Sequence, residues 1–298
     1  MEGIGFLSKS ELIIIVIGII TGTAARLITL RVDFRQVPTY PSALFNNVVQ
    51  GFIAASLGAV AIPAVLAGDF AAVTFLTVAV QQFRDIRTAE MESLGNLEHT
   101  EYAKRGQAYI DGISKTFESR SYISLVTSFA SVLVMQLTGS GNILLLAAFG
   151  TVSGAVVMIA LYRFTKGKMI GIICDIVPGK IEVKGSELYV DGIFVTNFLG
   201  TDLSRELMSS QGLAVVIKPR DEGSRMTLEN AGQRQAVAFE AFRTLGVKQY
   251  NFVRRDIPSG KVILAFIPIE RDMDKLIYVV SHTPILENSR KIKRIMKQ

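Results

Sequence analysis

The sequence is poor in the residues that most often carry chemistry. Its 298 residues include one cysteine, Cys174, and two histidines, His99 and His282. A single cysteine excludes an internal disulfide framework, so no oxidising compartment is implied. Two histidines and one distant cysteine cannot make a zinc site. Neither GxGxxG nor GxxxxGK[ST] occurs, so no phosphate-cradling loop is signalled. Charge is also scarce. Charged residues are 19% of the chain against 49% hydrophobic, and mean hydropathy is +0.37. This balance excludes a disordered chain, a collagenous chain and a purely soluble protein.

What is present is apolar sequence, concentrated in residues 1–165. The run from Leu12 to Leu30 (LIIIVIGIITGTAARLITL) is followed by Arg26, Arg31 and Arg35 and preceded only by Lys9. A signal peptide carries its charge on the other side, so this reads as a retained transmembrane helix. Arg26 lies near its end, where the stem can snorkel to the interface. The region 43–83 is apolar but interrupted by Pro63, Gly68 and Asp69. It divides into a helix over 43–66 and a shorter one over 70–83. The shorter one rises only ~21 Å at ~1.5 Å per residue, against a hydrocarbon core of ~30 Å. It either borrows Gln81 and Gln82 at one end or forms a re-entrant hairpin with its predecessor. Tyr122–Leu137 and Ile143–Phe164 flank an uncharged turn, Thr138-Gly139-Ser140-Gly141-Asn142, and read as a helical hairpin. The expectation is about five spans.

Basic residues orient the chain. Arg26, Arg31 and Arg35 lie at the first loop, Arg84, Arg87, Lys104, Arg105, Lys115 and Arg120 in 84–120, and Arg163, Lys166 and Lys168 after the last span. The turns at 67–69 and 138–142 carry none. With five spans every basic segment falls on one side, which places the N-terminus outside and the C-terminal domain in the cytoplasm. The whole net charge of +6 arises from residue 164 onward, where 21 Lys or Arg face 15 Asp or Glu.

Inside the spans, Gly18-x-x-x-Gly22, Gly150-x-x-x-Gly154 and the related Ala54-x-x-x-Gly58 let helix backbones approach closely, within one chain or between copies. No span holds an internal acidic residue. Asn46, Asn47 and Gln50 are the most polar cluster. They either line a solute path or bond to a neighbouring helix.

The segment 84–120 reads as a helical continuation of the third span. Its six basic and seven acidic residues nearly cancel, and it is too long for an idle connection. Tyr102, Tyr109, Ile113 and Phe117 could share one face of a helix leading into the fourth span. A sharper reading starts from Gly112, which permits close approach beside the Asp111 carboxylate. The hexapeptide Tyr109-Ile110-Asp111-Gly112-Ile113-Ser114 (YIDGIS) resembles the signature of the YIEGIA family, with Glu replaced by Asp and Ala by Ser. The resemblance implies a membrane-rich first half, a soluble second half, endospore-forming bacteria and a small companion protein described as a capping complex subunit. It implies no catalytic residue, since that family has no established activity.

Residues 169–298 read as a soluble α/β domain. Ile181-Glu182-Val183, Leu188-Tyr189-Val190 and Ile193-Phe194-Val195 make a small meander with turns at Lys184-Gly185-Ser186 and Asp191-Gly192. Thr201 or Asp202 caps a helix to about Ser210. The strand 213–217, a helix from Leu228 to Leu245 and the strands 247–253 and 262–267 follow. A right-handed crossover would set the first two of these strands parallel, with the third added by a hairpin. The turn Lys218–Ser224 leads into a helix but reads as a solvated loop. The tail is strongly basic, and Arg290, Lys291, Lys293, Arg294 and Lys297 could contact anionic lipid or an acidic partner.

The domain expectation is therefore a first membrane region over 1–83, a cytoplasmic helical segment over 84–120, a membrane hairpin over 121–165 and a soluble domain over 169–298. The functional expectation is a non-enzymatic membrane component of a sporulation-related complex, located in the bacterial cytoplasmic or forespore membrane. It would need no cofactor, metal or nucleic acid. Its partners would be membrane lipid and either further copies of itself or a small companion subunit. The alternative is a channel or transporter with a regulatory cytoplasmic domain.

Overall fold

The structure, a computed structural model, describes residues 9–33, 41–139, 142–165 and 167–289. The basic tail residues named above lie outside them, as do Arg35, Ser140, Gly141 and Lys166. The chain divides into two compact units, 1–92 with 113–166 and 93–112 with 167–298.

The first unit is all helix: α1 (Lys9–Asp33), α2 (Pro41–Leu66), α3 (Phe70–Leu97), α4 (Gln107–Thr138) and α5 (Ile143–Thr165). Four helices are long and apolar enough to cross a membrane, at Ser10–Thr29, Phe45–Leu66, Gln107–Thr138 and Ile143–Thr165. The 70–83 stretch is not among them. It is only the first half of α3, which runs on to Leu97 because nothing between Phe70 and Leu97 breaks a helix. Pro63 stays inside α2, while Gly68, at φ +68°, makes the turn to α3. Asp69 then caps α3 by accepting the Ala72 N–H at 3.0 Å, as a short acceptor at a helix start should. Below the apolar stretch α3 pairs with α4. Phe83 meets Tyr122 edge to face at 5.6 Å, and Arg87 pairs with Glu118 at 3.3 Å.

The core of this unit joins a cluster of large apolar side chains, with Ile14, Ile62, Val132, Met135 and Leu146, to a seam of small residues. Ala54, Ala55 and Ala59 are fully buried, together with Ser124, Ser128 and Ser131. Large apolar side chains point outward, among them Leu144 at 80% exposure. That surface suits lipid, where burying leucine against a neighbouring helix gains little and close backbone contact gains more.

The second unit contains residues 93–112 and then α6 (Ile170–Ile173), β1 (Cys174–Pro178), β2 (Ile181–Lys184), β3 (Glu187–Val190), β4 (Ile193–Thr196), α7 (Asp202–Gln211), β5 (Leu213–Pro219), α8 (Glu222–Glu229), α9 (Ala231–Leu245), β6 (Val247–Arg255), β7 (Val262–Pro268) and α10 (Met273–Ser281). A 3-10 turn, Glu287–Ser289, follows. There are two antiparallel sheets, β1-β5-β7-β6 and β2-β3-β4. The meander and the Thr201 cap of α7 form as expected.

As expected, β5 and β6 run the same way and β7 is added by a hairpin, but β7 lies between them, antiparallel to both, with Val215 opposite Leu264 and Val253 opposite the same residue. The Asp256–Gly260 turn returns β7 beside β6, and β7 then takes the free edge of β5. β5 is a continuous apolar run for another reason. Leu213, Val215 and Ile217 face the core under α8, α9 and α10, while Ala214 and Val216 face a second core with the small sheet and α7. Residues alternate between faces, and both faces are covered. The outer strand β1 (CDIVP) carries no alternation that would mark it in the sequence. The predicted 228–245 helix is two helices, since Asn230 ends α8 and caps α9 by accepting the Gln233 N–H at 3.0 Å. Gln233 is itself fully buried. It donates to the Pro284 carbonyl and accepts from Leu286 N and Ser289 Oγ, tying the last turn to α9.

Candidate functional site

The hexapeptide occupies the first turns of α4, and its setting is built by the loop before it. The Glu98 carboxylate accepts the backbone N–H groups of Arg105 (2.6 Å) and Gly106 (3.0 Å). Gly106 has φ +83°, and a Cβ there would stand 2.5 Å from Gln235 Oε1 on α9. Only glycine suits both the left-handed backbone and the tight contact. Arg105 pairs with Glu101 at 3.0 Å and lies over the Phe239 ring at 4.8 Å. Gln235 Nε2 donates to the Lys104 carbonyl at 3.3 Å.

Tyr109 follows directly. It is buried, its ring is edge-on to Phe239, and its hydroxyl donates to the Glu240 carboxylate at 2.5 Å. Glu240 sits on the apolar side of α9, so this hydrogen bond compensates a carboxylate that burial would otherwise strand. Tyr109, Ile110, Ile113, Ser114 and Phe117 form one buried helical face. Asp111 and Gly112 are half-buried. Tyr102 does not share that face. It lies in the loop before α4, because Glu98 draws the chain into a turn that the apolar spacing does not announce.

Among the described residues, a Cβ on Gly112 would meet Leu286 Cδ2 at 3.5 Å, an ordinary contact. The boundary between the two units falls between Gly112 and Ile113, inside the hexapeptide.

In the first unit the predicted small-residue positions all pack against other helices of the same chain. A Cβ on Gly18 would lie 2.5 Å from Val132 Cγ2, on Gly22 2.7 Å from the Ser124 carbonyl, and on Gly58 2.2 Å from the Leu125 carbonyl. Gly150 faces Met135 and Gly154 faces Thr21. Ala54 is fully buried.

The structure does not bring Asn46, Asn47 and Gln50 together as a lining. Asn46 is exposed, Gln50 is half-buried and Asn47 is buried. The Asn47 Oδ1 accepts from Arg26 Nη2 at 2.6 Å. Arg26 does not reach an interface by snorkelling. It is fully buried, with the stem packed where Gly51 leaves room and the guanidinium 6.0 Å from the Phe117 ring. Burial pushes the Glu90 carboxyl up from its ordinary value, and the charge of Arg26 pulls it back.

A serine row on α4 went unread in the sequence. Ser124 Oγ lies 2.8 Å from the carbonyls of both Gly22 and Gly51, Ser128 donates to the Ala55 carbonyl at 2.7 Å, and Ser131 donates to the Gly150 carbonyl at 2.8 Å. One helix thereby bonds to α1, α2 and α5. The signal was available as spacing, since Ser121, Ser124, Ser128 and Ser131 recur every three or four residues and so share a face.

The remaining candidates are quiet. Asp221 caps α8, and Arg220 is held by Asp175 at 2.7 Å and by the Ile172 carbonyl, so the 218–224 turn satisfies itself. Cys174 is buried, and burial pushes its thiol up to about 12. His282 stacks on Tyr278, with Nδ1 2.7 Å from the Tyr278 carbonyl. No group of three or more His, Cys, Asp or Glu side chains could hold a metal among the described residues.

The chain is 34% identical over 282 residues to YphB, an uncharacterised protein of Bacillus subtilis (strain 168), with 92% of each chain covered. No solved structure matches it significantly. The profile of the YIEGIA protein family matches residues 14–295, so the chain belongs to the YIEGIA family.

Proposed function

We propose that this protein is a non-enzymatic integral membrane component of a sporulation-related complex, anchored by its helical unit and recruiting partners through its cytoplasmic domain. The observation that carries this reading is how the polar groups of the helical unit are used. Ser124, Ser128 and Ser131 bond to backbone carbonyls of neighbouring helices, and Asn47 bonds to Arg26. A conduit would keep such groups available to a solute. The buried hexapeptide points the same way, because its tyrosine is engaged with Glu240 rather than aimed at a cavity. The sporulation setting rests on the family.

The orientation that fits is five crossings, with the first half of α3 as a short third span or part of a re-entrant pair. Four crossings would separate Arg31 and Arg35 from the basic 84–120 segment, against the bias of basic residues to the cytoplasmic side. The N-terminus is then outside and residues 169–298 are cytoplasmic. A cysteine-accessibility scan checks this on a silent background, since buried, protonated Cys174 is the only native thiol. External labelling of any residue beyond 169 would overturn the orientation. Co-purification followed by mass spectrometry tests the complex. A protein that runs as a monomer and retains no partner overturns it.

A further inference from the structure

One face of the second unit combines an open pocket, floored by aromatic rings and rimmed by polar groups, with cations that no carboxylate answers. The loop before α4, the last turn of α9 and the start of β6 enclose a cavity of about 190 Å³. Phe239 and Phe242 form its apolar lining with Tyr102, Ala103 and Val247. It is smaller than the roughly 300 Å³ at which small-molecule sites begin, so it suits one large side chain. Tyr102 is 72% exposed, and its hydroxyl lies 3.4 Å from Asn251 Nδ2 on β6. Gly246, with φ +68°, lies at the rim. A Cβ there would fall 2.8 Å from Ile269 Cδ1, so Ile269, also 72% exposed, continues the apolar surface.

The unanswered charges around this surface are positive. Arg243 lines the pocket, as does Glu101. Arg271 follows the segment that is bonded to α9 through Ile269 N to the Gly246 carbonyl and Glu270 N to the Leu245 carbonyl. Both arginines are exposed and have no carboxylate partner among the described residues. The acids beside them are engaged: Glu101 with Arg105, Glu270 with Lys275, and Asp272 in capping α10.

We propose that this face docks an acidic polypeptide segment carrying one large apolar side chain. The side chain enters the cavity, and the flanking carboxylates meet Arg243 and Arg271. The inference rests on the protein being a complex subunit and names the chemistry of its partner. A lipid surface fits less well, because a planar bilayer has no use for a side-chain-sized cavity. Arginine suits the task, since its planar fork takes a carboxylate through two hydrogen bonds.

The test uses the full chain in neutral-lipid nanodiscs and a fluorescent peptide with one Phe between runs of Asp and Glu. Anisotropy should show salt-sensitive binding. Replacing the peptide Phe by Ser, or introducing Arg243→Glu with Arg271→Glu in the protein, should weaken it by at least about tenfold. Tyr102→Ala should weaken it less. Circular dichroism melts confirm that the variants fold. A peptide with Lys in place of every acid that binds equally well overturns the proposal, as does an Arg243→Glu/Arg271→Glu variant that binds normally. Capture of the nanodiscs by phosphatidylglycerol vesicles through these arginines, without peptide binding, also overturns it in favour of lipid. If a partner still co-purifies with that double variant, the complex stands and this site falls. If wild-type protein retains no partner, the complex falls while the peptide titration still decides the site.

Discussion

The two units differ in what they add to a large apolar core. In the C-terminal unit the buried set is large and apolar, with Phe266, Ile217, Leu188 and Leu276 fully enclosed. The helical unit also buries Ile14, Val132, Met135 and Leu146, but it adds a seam of alanine, glycine and serine and leaves many large apolar groups outside. Water explains the first pattern, since removing apolar surface from it is the main driving force. The second pattern is what remains when the surroundings are as apolar as leucine. Association then depends on backbone proximity and on hydrogen bonds between helices. Even Arg26 follows this rule, being enclosed where Gly51 and Asn47 accommodate it.

The largest test of this contrast is Phe266→Ala on β7. It removes a fully buried ring that packs on Phe242 with centroids 5.0 Å apart. Denaturation of the full chain followed by circular dichroism should show a loss of about 3–5 kcal/mol. A loss below about 1 kcal/mol would mean that the β-sheet core is not organised by apolar burial.

The converse change is Gly58→Val in the helical unit. The added Cβ would lie 2.2 Å from the Leu125 carbonyl, so α2 and α4 must separate. A cost of about 1–3 kcal/mol is expected from overpacking, read as a lower SDS-unfolding midpoint. Unchanged stability would break the small-residue side of the comparison.

Tyr109→Phe asks what a polar bond is worth in the C-terminal unit. Glu240 has no other hydrogen-bond donor among the described residues. Removing the hydroxyl should cost about 1–3 kcal/mol, measured by thermal melting. Ser128→Ala asks the same in the helical unit, where loss of the bond to the Ala55 carbonyl should cost only about 0.6 kcal/mol. Equal losses would erase the difference. The smallest effect is Gly112→Ala. With Leu286 at ordinary contact distance among the described residues and a helical backbone, alanine should be neutral or stabilise by up to about 1 kcal/mol, read by thermal melting.

The long apolar runs, the meander and the cap at Thr201 were legible because each is a local rule. Period, turn chemistry and capping need only neighbouring residues. The hexapeptide was legible as a resemblance, but its seat was not. Glu98 and Gln235 are 137 positions apart, and nothing nearby in the sequence announces that both contact Gly106. The parallel sense of β5 and β6 was legible from the crossover, but the crossover does not say that β7 comes between them. The serine row on α4 could have been read from its spacing, though its acceptors could not.

The sequence by itself determined that this protein has an apolar helical half and an α/β half, and which family signature it carries. These follow from composition and from patterns a few residues long. Only the tertiary structure decided which face of α4 is buried, that Arg26 is enclosed rather than snorkelling, and that Tyr109 meets Glu240. It also gathered Arg243, Ile269 and Tyr102 around one cavity. Each of these depends on side chains far apart in the chain, and their meeting is set by how the helices and sheets pack, which no local pattern encodes.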